Sequence, residues 1–245
     1  MGEHIDYQLS LFDYEQASKG IKRYVRRISY EDTKPFLLGI HYARRMPCIT
    51  DAFGLFVDEQ MIGVVTYGVP ASMPLCIGLA GEKNRYRVLE LNRLALLPKK
   101  QSMNDASYLV SHSLKLLRDI YIYIYIYVAS YADTAWGHVG YVYQATNWLY
   151  TGMSAKRNDT YQPNGLHPRA YDKNNHSDLK QTRSPKHRYV YLVGDRRKRK
   201  EMLKELRYPI MKEYPKGDSR HYDTNNPVPV KRVEIISNGQ SIPET

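Results

Sequence analysis

The stretch "LNRLALLPKKQSMNDASYLVSHSLKLL", residues 91–117, places a strand, a loop and a helix directly after one another. Apolar residues dominate Leu89 to Leu97, which predicts a strand there. The segment "NDASYLVSHSLKLL" predicts a helix with Asn104 or Asp105 as its N-cap, because short polar side chains favour that position. A strand that leads through a loop into a helix indicates an α/β fold.

Further elements are predicted on both sides of this segment. A strand and a helix starting near Ser29 to Asp32 come first, followed by a hairpin of Phe53 to Val57 and Met61 to Tyr67. Strict alternation predicts a strand in "YIYIYIYVASY". We then expect a short helix and a strand in "GHVGYVYQATNWLYTG", a strand in "KHRYVYLVG" and a basic helix in "DRRKRKEMLKELRYP".

The chain has 245 residues, which suits one large domain with appendages. We expect a flexible arm over residues 1–20, a folded domain over 21–212 and a disordered tail over 213–245. Residues 153–185 are polar and predict a long surface loop.

The composition favours a nucleic-acid partner. The net charge is +11, which points to a polyanion such as double-stranded DNA, although a solvated basic face would give the same charge. There are 23 Tyr against 4 Phe, and the ring and hydroxyl of tyrosine suit nucleic-acid surfaces. A repeated TA dinucleotide in the gene would also encode the Tyr-Ile run, so biased coding is an alternative.

The sequence predicts a cytoplasmic protein, in the host cell if a phage encodes it. Its two cysteines, Cys48 and Cys76, form neither a CxxC pair nor a zinc pattern. The acidic start lacks the apolar segment of a signal peptide. The apolar run from Ile120 to Ala129 is about half as long as a membrane helix, so we expect no membrane contact.

The arm contains the pentapeptide "QLSLF". It resembles the peptide with which bacterial DNA polymerases and repair proteins bind the replication sliding clamp. An extended peptide would place two apolar side chains in a pocket and add hydrogen bonds from its glutamine. The alternative is an arm that packs on its own domain. The clamp-binding residues under this hypothesis are Gln8, Leu9, Leu11 and Phe12.

Polar residues at the ends of predicted elements are candidates for a site. His41 and Tyr42 are adjacent and follow the first helix, and Arg44 and Arg45 after them suit phosphate contact. Packing or solvent exposure is the simpler reading of a lone histidine. Tyr67 ends a hairpin strand, where its side chain points either into a cleft or into the core.

Three further positions suit charge recognition. Arg93 lies inside an apolar strand and needs an anionic partner, either Glu90 or a cofactor phosphate. Ser107 lies in the first turn of the predicted helix, where anions bind readily, although it could also only cap the helix or contact solvent. Asp133 follows a strand, a usual place for functional residues in α/β sheets, although from the residues alone a turn or N-cap role is the simpler explanation.

The order of elements resembles the GNAT N-acetyltransferase fold, a mixed sheet splayed around an acyl-CoA cleft with flanking helices. Residues 91–117 occupy the place of its strand, pyrophosphate loop and helix, and "YQATNWLYTG" occupies the place of its "lYeklGF" helix. The usual Gly-rich loop is absent. Its role would fall to the helix N-terminus between Asn104 and Ser107.

The motifs "HYARRMP", "GVVTYG", "LELNRLAL", "NDASYLVSHSLKLL" and "VASYADTAWGHVGYVYQATNWLYTG" resemble the phage Mom family over residues 22–212. This resemblance implies an enzyme that places a carbamoylmethyl group on the exocyclic amine of adenine in phage DNA, which blocks host restriction. It also implies acetyl-CoA and iron as cofactors.

The resemblance assigns roles to individual residues. It implies Tyr67, Asp133 and Tyr143 as catalytic residues and Arg93 and Ser107 as cofactor-binding residues. Its metal ligands would be His41, Tyr42, Asp133 and Tyr143, a mixed N/O set that suits iron. The DNA-binding residues of this hypothesis are Arg44, Arg45, Lys186, Arg188, Arg196, Arg197, Lys198, Arg199 and Lys200.

Two other functions fit the same sequence. A GNAT-type N-acyltransferase acting on a protein or small amine would release CoA without DNA. A non-catalytic DNA-binding protein recruited through "QLSLF" would tolerate the loss of Asp133. In the leading hypothesis, the target adenine leaves the base stack and packs against tyrosines and against Trp136 or Trp148.

Overall fold

The computed structural model describes residues 22–98, 100, 102–155, 157–160, 180–217, 235–237 and 240–242. Its strands are β1 (Arg23–Arg27), β2 (Asp51–Val57), β3 (Gln60–Gly68), β4 (Val88–Leu96), β5 (Ile126–Asp133), β6 (Leu149–Met153), β7 (Arg157–Thr160), β8 (Lys180–Arg183), β9 (Lys186–Val193), β10 (Ile235–Ser237) and β11 (Gln240–Ile242). Its helices are α1 (Tyr30–Lys34), continued by a π-helical turn (Pro35–Ile40), α2 (Met73–Ala80), α3 (Asp105–Ile120), α4 (Tyr141–Ala145) and α5 (Arg196–Glu205), with 3₁₀ turns at Glu82–Arg87 and Thr134–Trp136.

A seven-stranded mixed sheet, in the order β1-β2-β3-β4-β5-β9-β6, forms the centre of the fold. Adjacent strands of this sheet are antiparallel, except for β4 and β5, which are parallel. These two strands form only three residue pairs, in which Val88–Glu90 of β4 pair with Tyr127–Ala129 of β5. Both strands continue beyond these pairs, so the sheet opens there into a gap. The expected GNAT-like class, a mixed central sheet with flanking helices, is confirmed by this arrangement. A second sheet has the order β11-β10-β8-β7.

Apolar layers cover both faces of the large sheet. Helix α3 lays Leu109, Leu114 and Leu117 against one face. Helices α2 and α5 cover the other face through Leu79 and Met202. Each fully buried aliphatic side chain of this kind contributes about 2 kcal/mol relative to exposure. The two layers therefore hold the strands in place up to the point where the gap begins.

Most predicted elements are confirmed, with small shifts at their ends. The hairpin, the strand before α3, the short helix α4 and the basic helix α5 all form where they are expected. Helix α2 was missed, because its residues show little helical periodicity. Of the two predicted N-cap residues, Asn104 is the N-cap of α3, but it has φ 78° and its side chain forms no capping hydrogen bond. Asp105 accepts a hydrogen bond from Ser102 N at 2.6 Å instead.

The Tyr-Ile run is not a strand along its whole length. Helix α3 continues to Ile120, Tyr121 N–H closes it on Leu117 O, and β5 begins only at Ile126. Tyr123 in the intervening turn is 92% exposed. Alternation of apolar and polar residues predicts a strand only where one face of the strand is buried. Here the strand enters the sheet at Ile126, several residues after the alternating pattern begins.

Both ends of the chain fall partly outside the described residues. The arm and its clamp-binding residues Gln8, Leu9, Leu11 and Phe12 lie wholly outside them. Within the expected disordered tail, residues 213–217 pack near α4, and strand β10 pairs with β8 and β11. The expected long loop after residue 153 contains the paired strands β7 and β8. Among the described helices, none has the length and hydropathy needed to cross a lipid bilayer.

The loop between the π-helical turn and β2 is fixed to the sheet at Asn92. Its side-chain amide donates to Cys48 O at 2.8 Å and accepts from Thr66 Oγ1 at 2.6 Å. Asn92 is also the extra residue of a bulge in β4, since Thr66 pairs with Arg93 and Tyr67 with Leu91. Gly68 at the end of β3 allows the backbone of Cys48 to approach closely.

Gly68→Ala tests this contact, because an added Cβ would clash with the carbonyl oxygen of Cys48. We expect the free energy of unfolding to fall by about 2 kcal/mol, the usual cost of overpacking. Urea denaturation measures it. Gly39→Ala is the matched control: it lies in the preceding helical turn with nothing within 4 Å of the added Cβ, and we expect equal or slightly higher stability. Equal stability of both variants would contradict the proposed contact.

Candidate functional site

The loop that starts at His41 meets the turn that follows β5. The His41 ring stacks on Tyr42 with centroids 4.4 Å apart. The Tyr42 ring in turn lies 4.8 Å from Trp136 and meets His138 edge-on at 6.1 Å. Asp133 immediately precedes the Thr134–Trp136 turn. The structure thus brings together "HYARRMP" and "SYADTAWGHVG", the two stretches whose residues the resemblance groups in one site.

The protonation of His41 follows from its contacts. The ring is buried, and its Nδ1 accepts a hydrogen bond from Ala43 N at 3.0 Å. Burial, together with the nearby positive charges of Arg93 and Arg45 and the His138 ring, lowers the pKa of His41 to about 3. The ring is therefore neutral at pH 7, and its proton lies on Nε2 because Nδ1 is the acceptor.

Asp133 is buried and almost fully engaged by donors. Its Oδ1 accepts from Ala135 N at 3.0 Å and from Ser184 Oγ at 2.5 Å, and its Oδ2 pairs with Lys186 Nζ at 2.7 Å. Burial alone would raise the pKa of the carboxyl group, but Lys186 and these hydrogen bonds outweigh it, so the pKa lies below its usual value. Asp133 is thus an ionised anchor for the turn.

Tyr42 and Arg93 are close enough for the Arg93 charge to act on the Tyr42 hydroxyl. Burial and the charge of Asp133 raise the pKa of Tyr42 more than the Arg93 charge lowers it. Burial also lowers the pKa of the Arg93 guanidinium. Arg93 Nη1 donates to Asn92 O at 2.6 Å, whereas its buried Nε has no hydrogen-bond partner among the described residues.

Tyr143 reaches the point where β4 and β5 separate. Its hydroxyl lies 2.7 Å from Ser130 Oγ, which donates to Leu91 O at 2.9 Å. Leu91 and Ser130 are the first residues beyond the last pair of the two strands. A serine has one hydroxyl proton, and a carbonyl only accepts, so Tyr143 gives its own proton to Ser130. Burial raises the pKa of Tyr143.

The predicted catalytic Tyr67 does not join this cluster. It is fully buried under α3, and its hydroxyl lies 2.6 Å from Ser113 Oγ. Strand neighbours point to opposite faces, so Tyr67 faces α3 while Thr66, the partner of Arg93, faces the opposite side. Of the two places that the sequence allowed for Tyr67, the structure selects the core.

The predicted phosphate site at the start of α3 is already filled by a carboxylate. Asp105 is buried there and pairs with Arg23 Nη1 at 2.8 Å. Ser107 Oγ donates to Asn104 O at 2.9 Å, within its own turn. The negative charge of Asp105 already compensates the positive end of the helix dipole, so a pyrophosphate fits poorly.

The predicted DNA-binding residues form three separate groups. Arg44 and Arg45 are exposed beside the aromatic cluster. Lys186 is held by Asp133, and Arg188 is held by Thr151 and by the Tyr208 ring, whose centroid lies 3.3 Å from its guanidinium. The basic helix α5 follows the far end of β9, about 23 Å from Lys186 along the strand. The third group consists of Arg196, Arg197, Lys198, Arg199 and Lys200.

Several site residues were not predicted. Ser184 and Lys186, as partners of Asp133, come from a distant segment, and only the pairing of β5 with β9 brings them together. Ser130 gave no signal in an apolar strand. His138 could have been found from the sequence, because it lies in the same glycine-containing stretch as Asp133. Trp148, a proposed stacking residue, is fully buried.

The described residues do not fit an iron ion. His41 carries its proton on the nitrogen left for a metal, the oxygens of Asp133 are held by three donors, and the Tyr143 hydroxyl bonds to Ser130. Metal-bound histidines instead donate from their second nitrogen. Among the described residues, no three His, Cys, Asp or Glu side chains are placed to hold a metal. The implied ligand set is therefore not supported.

The strand order and the opening between β4 and β5 place the protein in the GNAT-like class of α/β folds. The aromatic and charged cluster lies on the strands and loops that border this opening. The chain belongs to the Mom protein family, which matches residues 22–216.

Individual known proteins are more distant. Methylcarbamoylase mom of Escherichia phage Mu is 28% identical over 151 residues, which cover 60% of this chain and 59% of the phage Mu protein. The ribosomal-protein-S18-alanine N-acetyltransferase of Escherichia coli is 10% identical with a TM-score of 0.42, over 71% of this chain and 96% of that one. A Bacillus subtilis acetyltransferase in complex with CoA is 11% identical with a TM-score of 0.40, over 69% and 97%.

The ion pair between Asp133 and Lys186 predicts a pH-dependent stability. Because the folded pKa of Asp133 is depressed, the pair stabilises the fold above the ordinary carboxyl pKa of about 4, and this is lost as the pH falls through the folded value. We expect Lys186→Gln to lower the free energy of unfolding by on the order of 2 kcal/mol at pH 7, a value between those of exposed and buried ion pairs. At low pH, where Asp133 is protonated, we expect a smaller effect.

Urea denaturation at several pH values measures this difference. Lys22→Gln is the control, because Lys22 forms an exposed pair with Glu59 at 3.6 Å and its loss changes stability little. A cost for Lys186→Gln that stays constant from pH 7 to pH 2 would contradict the role of the charged pair.

Proposed function

We propose that the protein is a DNA-modifying transferase that adds a carbamoylmethyl group to the exocyclic amine of adenine. The observation that carries the proposal is the polar cluster at the opening between β4 and β5, where His41, Tyr42 and Arg93 converge from separate segments. Membership of the Mom family and the name of the phage Mu relative support the choice of reaction.

The proposed reaction forms one bond and breaks one. The amine nitrogen of adenine bonds to the methylene carbon of a carbamoylmethyl donor. The leaving group of the donor departs with the electron pair of the broken bond, and the amine loses one proton. The adenine amine is a weak nucleophile because its lone pair is delocalised, so the enzyme must orient it and polarise the donor.

The cluster suggests a division of work. The Tyr42 hydroxyl and the Arg93 guanidinium are placed to contact the reacting groups, since each keeps a donor that no described residue uses. Asp133 holds the turn that carries Trp136, because its oxygens are occupied. Tyr143 borders the inner end of the opening through Ser130.

An acyl-CoA fits this protein in part. Because β4 and β5 pair only up to Glu90, an extended arm could bond to backbone groups of β4 beyond that point, whereas Asp105 disfavours phosphates at the start of α3. When bound, such a cofactor would supply an acyl group activated at its carbonyl carbon, whereas the reaction above takes a donor activated at its methylene carbon.

Duplex DNA must give up the target base to the opening, because the exocyclic amine of a stacked adenine cannot enter it. Arg44 and Arg45 border the cluster and are exposed, so they suit phosphates next to the extruded base. The basic helix α5 lies further away and suits the flanking duplex.

Mass spectrometry of nucleosides from cells that express the protein tests the function. We expect a modified adenosine with the wild type and at least about a hundredfold less with Tyr42→Phe, the usual scale for losing one catalytic hydroxyl. Tyr30→Phe is the control, because Tyr30 is exposed on α1. Unmodified adenine with the wild type, together with CoA release in the absence of DNA, would indicate an N-acyltransferase instead.

The basic helix predicts a measurable salt dependence. We expect the double variant Arg196→Gln and Arg197→Gln to reduce the slope of log K against log[salt] by about 2, because each lost phosphate contact removes about 0.9. Fluorescence anisotropy with a duplex measures the slope. The control removes the same charge from α3, on the opposite face of the sheet, through Lys115→Gln and Arg118→Gln. Equal slopes for the two double variants would exclude α5 as the duplex contact.

A further inference from the structure

We infer that the cluster formed by His41, Tyr42, Arg45 and Arg93, here called the donor cluster, binds the oxygen of a carboxylate or carbonyl group rather than a cation. The inference deepens the proposed function, on which it rests for the identity of the reaction: it assigns to this cluster the oxygen atom of the transferred group. Its physical basis is that His41, Tyr42 and Arg93 each offer a hydrogen-bond donor to a ligand.

His41 contributes a donor because of its backbone contact. The Ala43 N–H occupies Nδ1 at 3.0 Å, so the neutral ring presents Nε2–H. A metal would need the lone pair of that nitrogen. An oxygen acceptor, by contrast, takes the proton that is already there.

Arg93 supplies the charge and an unused donor. Its Nε is buried and has no hydrogen-bond partner among the described residues, whereas its Nη1 donates a hydrogen bond to Asn92 O. Leaving a buried charged donor unpaired is unfavourable, and a ligand oxygen would satisfy it. Tyr42 contacts its neighbours through its ring, and among the described residues its hydroxyl forms no hydrogen bond.

The net charge of the cluster also selects its ligand. Arg93 and Arg45 are close enough to act on both His41 and Tyr42. Two carboxylates act on the cluster: Asp133, which pairs with Lys186 at 2.7 Å, acts on Tyr42, and Glu90 acts on Arg93. A cation would meet the repulsion of two guanidinium groups, whereas a carboxylate or carbonyl oxygen would be attracted by both.

Binding of small probes to the full chain tests the inference without the reaction. Saturation-transfer NMR follows acetate, a carboxylate, and acetamide, a neutral amide, while electron paramagnetic resonance follows Mn²⁺ as a cation. We expect acetate, acetamide or both to bind, and Mn²⁺ to stay free. Binding of acetate alone assigns a carboxylate, and binding of acetamide assigns an amide carbonyl.

Variants locate the binding. We expect Arg93→Gln to weaken it about tenfold and Tyr42→Phe severalfold, with Arg118→Gln on α3 unchanged. Circular dichroism checks that each variant is folded. If Arg93→Gln does not fold, the weaker binding expected of Tyr42→Phe still tests the inference. Failure of both probes to bind, equal binding to Arg93→Gln and the wild type, or one tightly bound Mn²⁺ that His41→Gln releases would overturn the inference.

The nucleoside analysis separates this inference from the proposed function. Modified adenine without probe binding would refute the donor cluster and leave the function standing. Probe binding at Arg93 without modified adenine would refute the function and leave the donor cluster standing.

Discussion

The separation of β4 and β5 after three residue pairs is the constraint on which the rest of the site depends. Two parallel strands that part inside a sheet leave backbone groups without ladder partners, and buried groups of this kind must be satisfied elsewhere. Side chains do this here: Ser130 Oγ bonds to Leu91 O, and Arg93 Nη1 bonds to Asn92 O. The residues that satisfy the opened strands are therefore the same residues that border the opening.

Two buried tyrosines show why residue type alone does not define a role. Tyr67 contacts Ser113, which donates to Val110 O, and Tyr143 contacts Ser130, which donates to Leu91 O. Burial raises the pKa of both phenols. Both pairs consist of a tyrosine and a serine. The serine next to Tyr67 donates to a carbonyl of helix α3 in the core, whereas the serine next to Tyr143 donates to a carbonyl of β4 where that strand parts from β5. Only the sheet register separates them.

The sequence predicted what depends on local patterns. Periodicity located the hairpin, strand β4 and helix α3. The grouping of Asp133 with His41 and Tyr42 came from the resemblance to the Mom family, and the Tyr42 ring does lie 4.8 Å from Trp136 in the turn after Asp133. What it missed depends on pairing between distant segments. The sequence did not show that β9 brings Lys186 to Asp133, or that the carboxylate of Asp105 lies at the start of α3 beside Ser107. The side that Tyr67 faces could be assigned only once it was known which face of β3 packs against α3.

The contacts around Asp133 limit how the proposed reaction can dispose of its proton. Adenine must lose one proton from its amine, yet His41 and Arg93 present only donors, and Asp133 is already bound by Lys186 and two further groups. A carboxylate held in this way is a weak base, because its depressed pKa reflects how well its charge is already stabilised. In the proposed reaction the proton therefore leaves with the departing group of the donor or through water. The donor cluster acts on the other partner: it would hold the carbonyl oxygen of the group that is transferred and so orient its methylene carbon toward the amine.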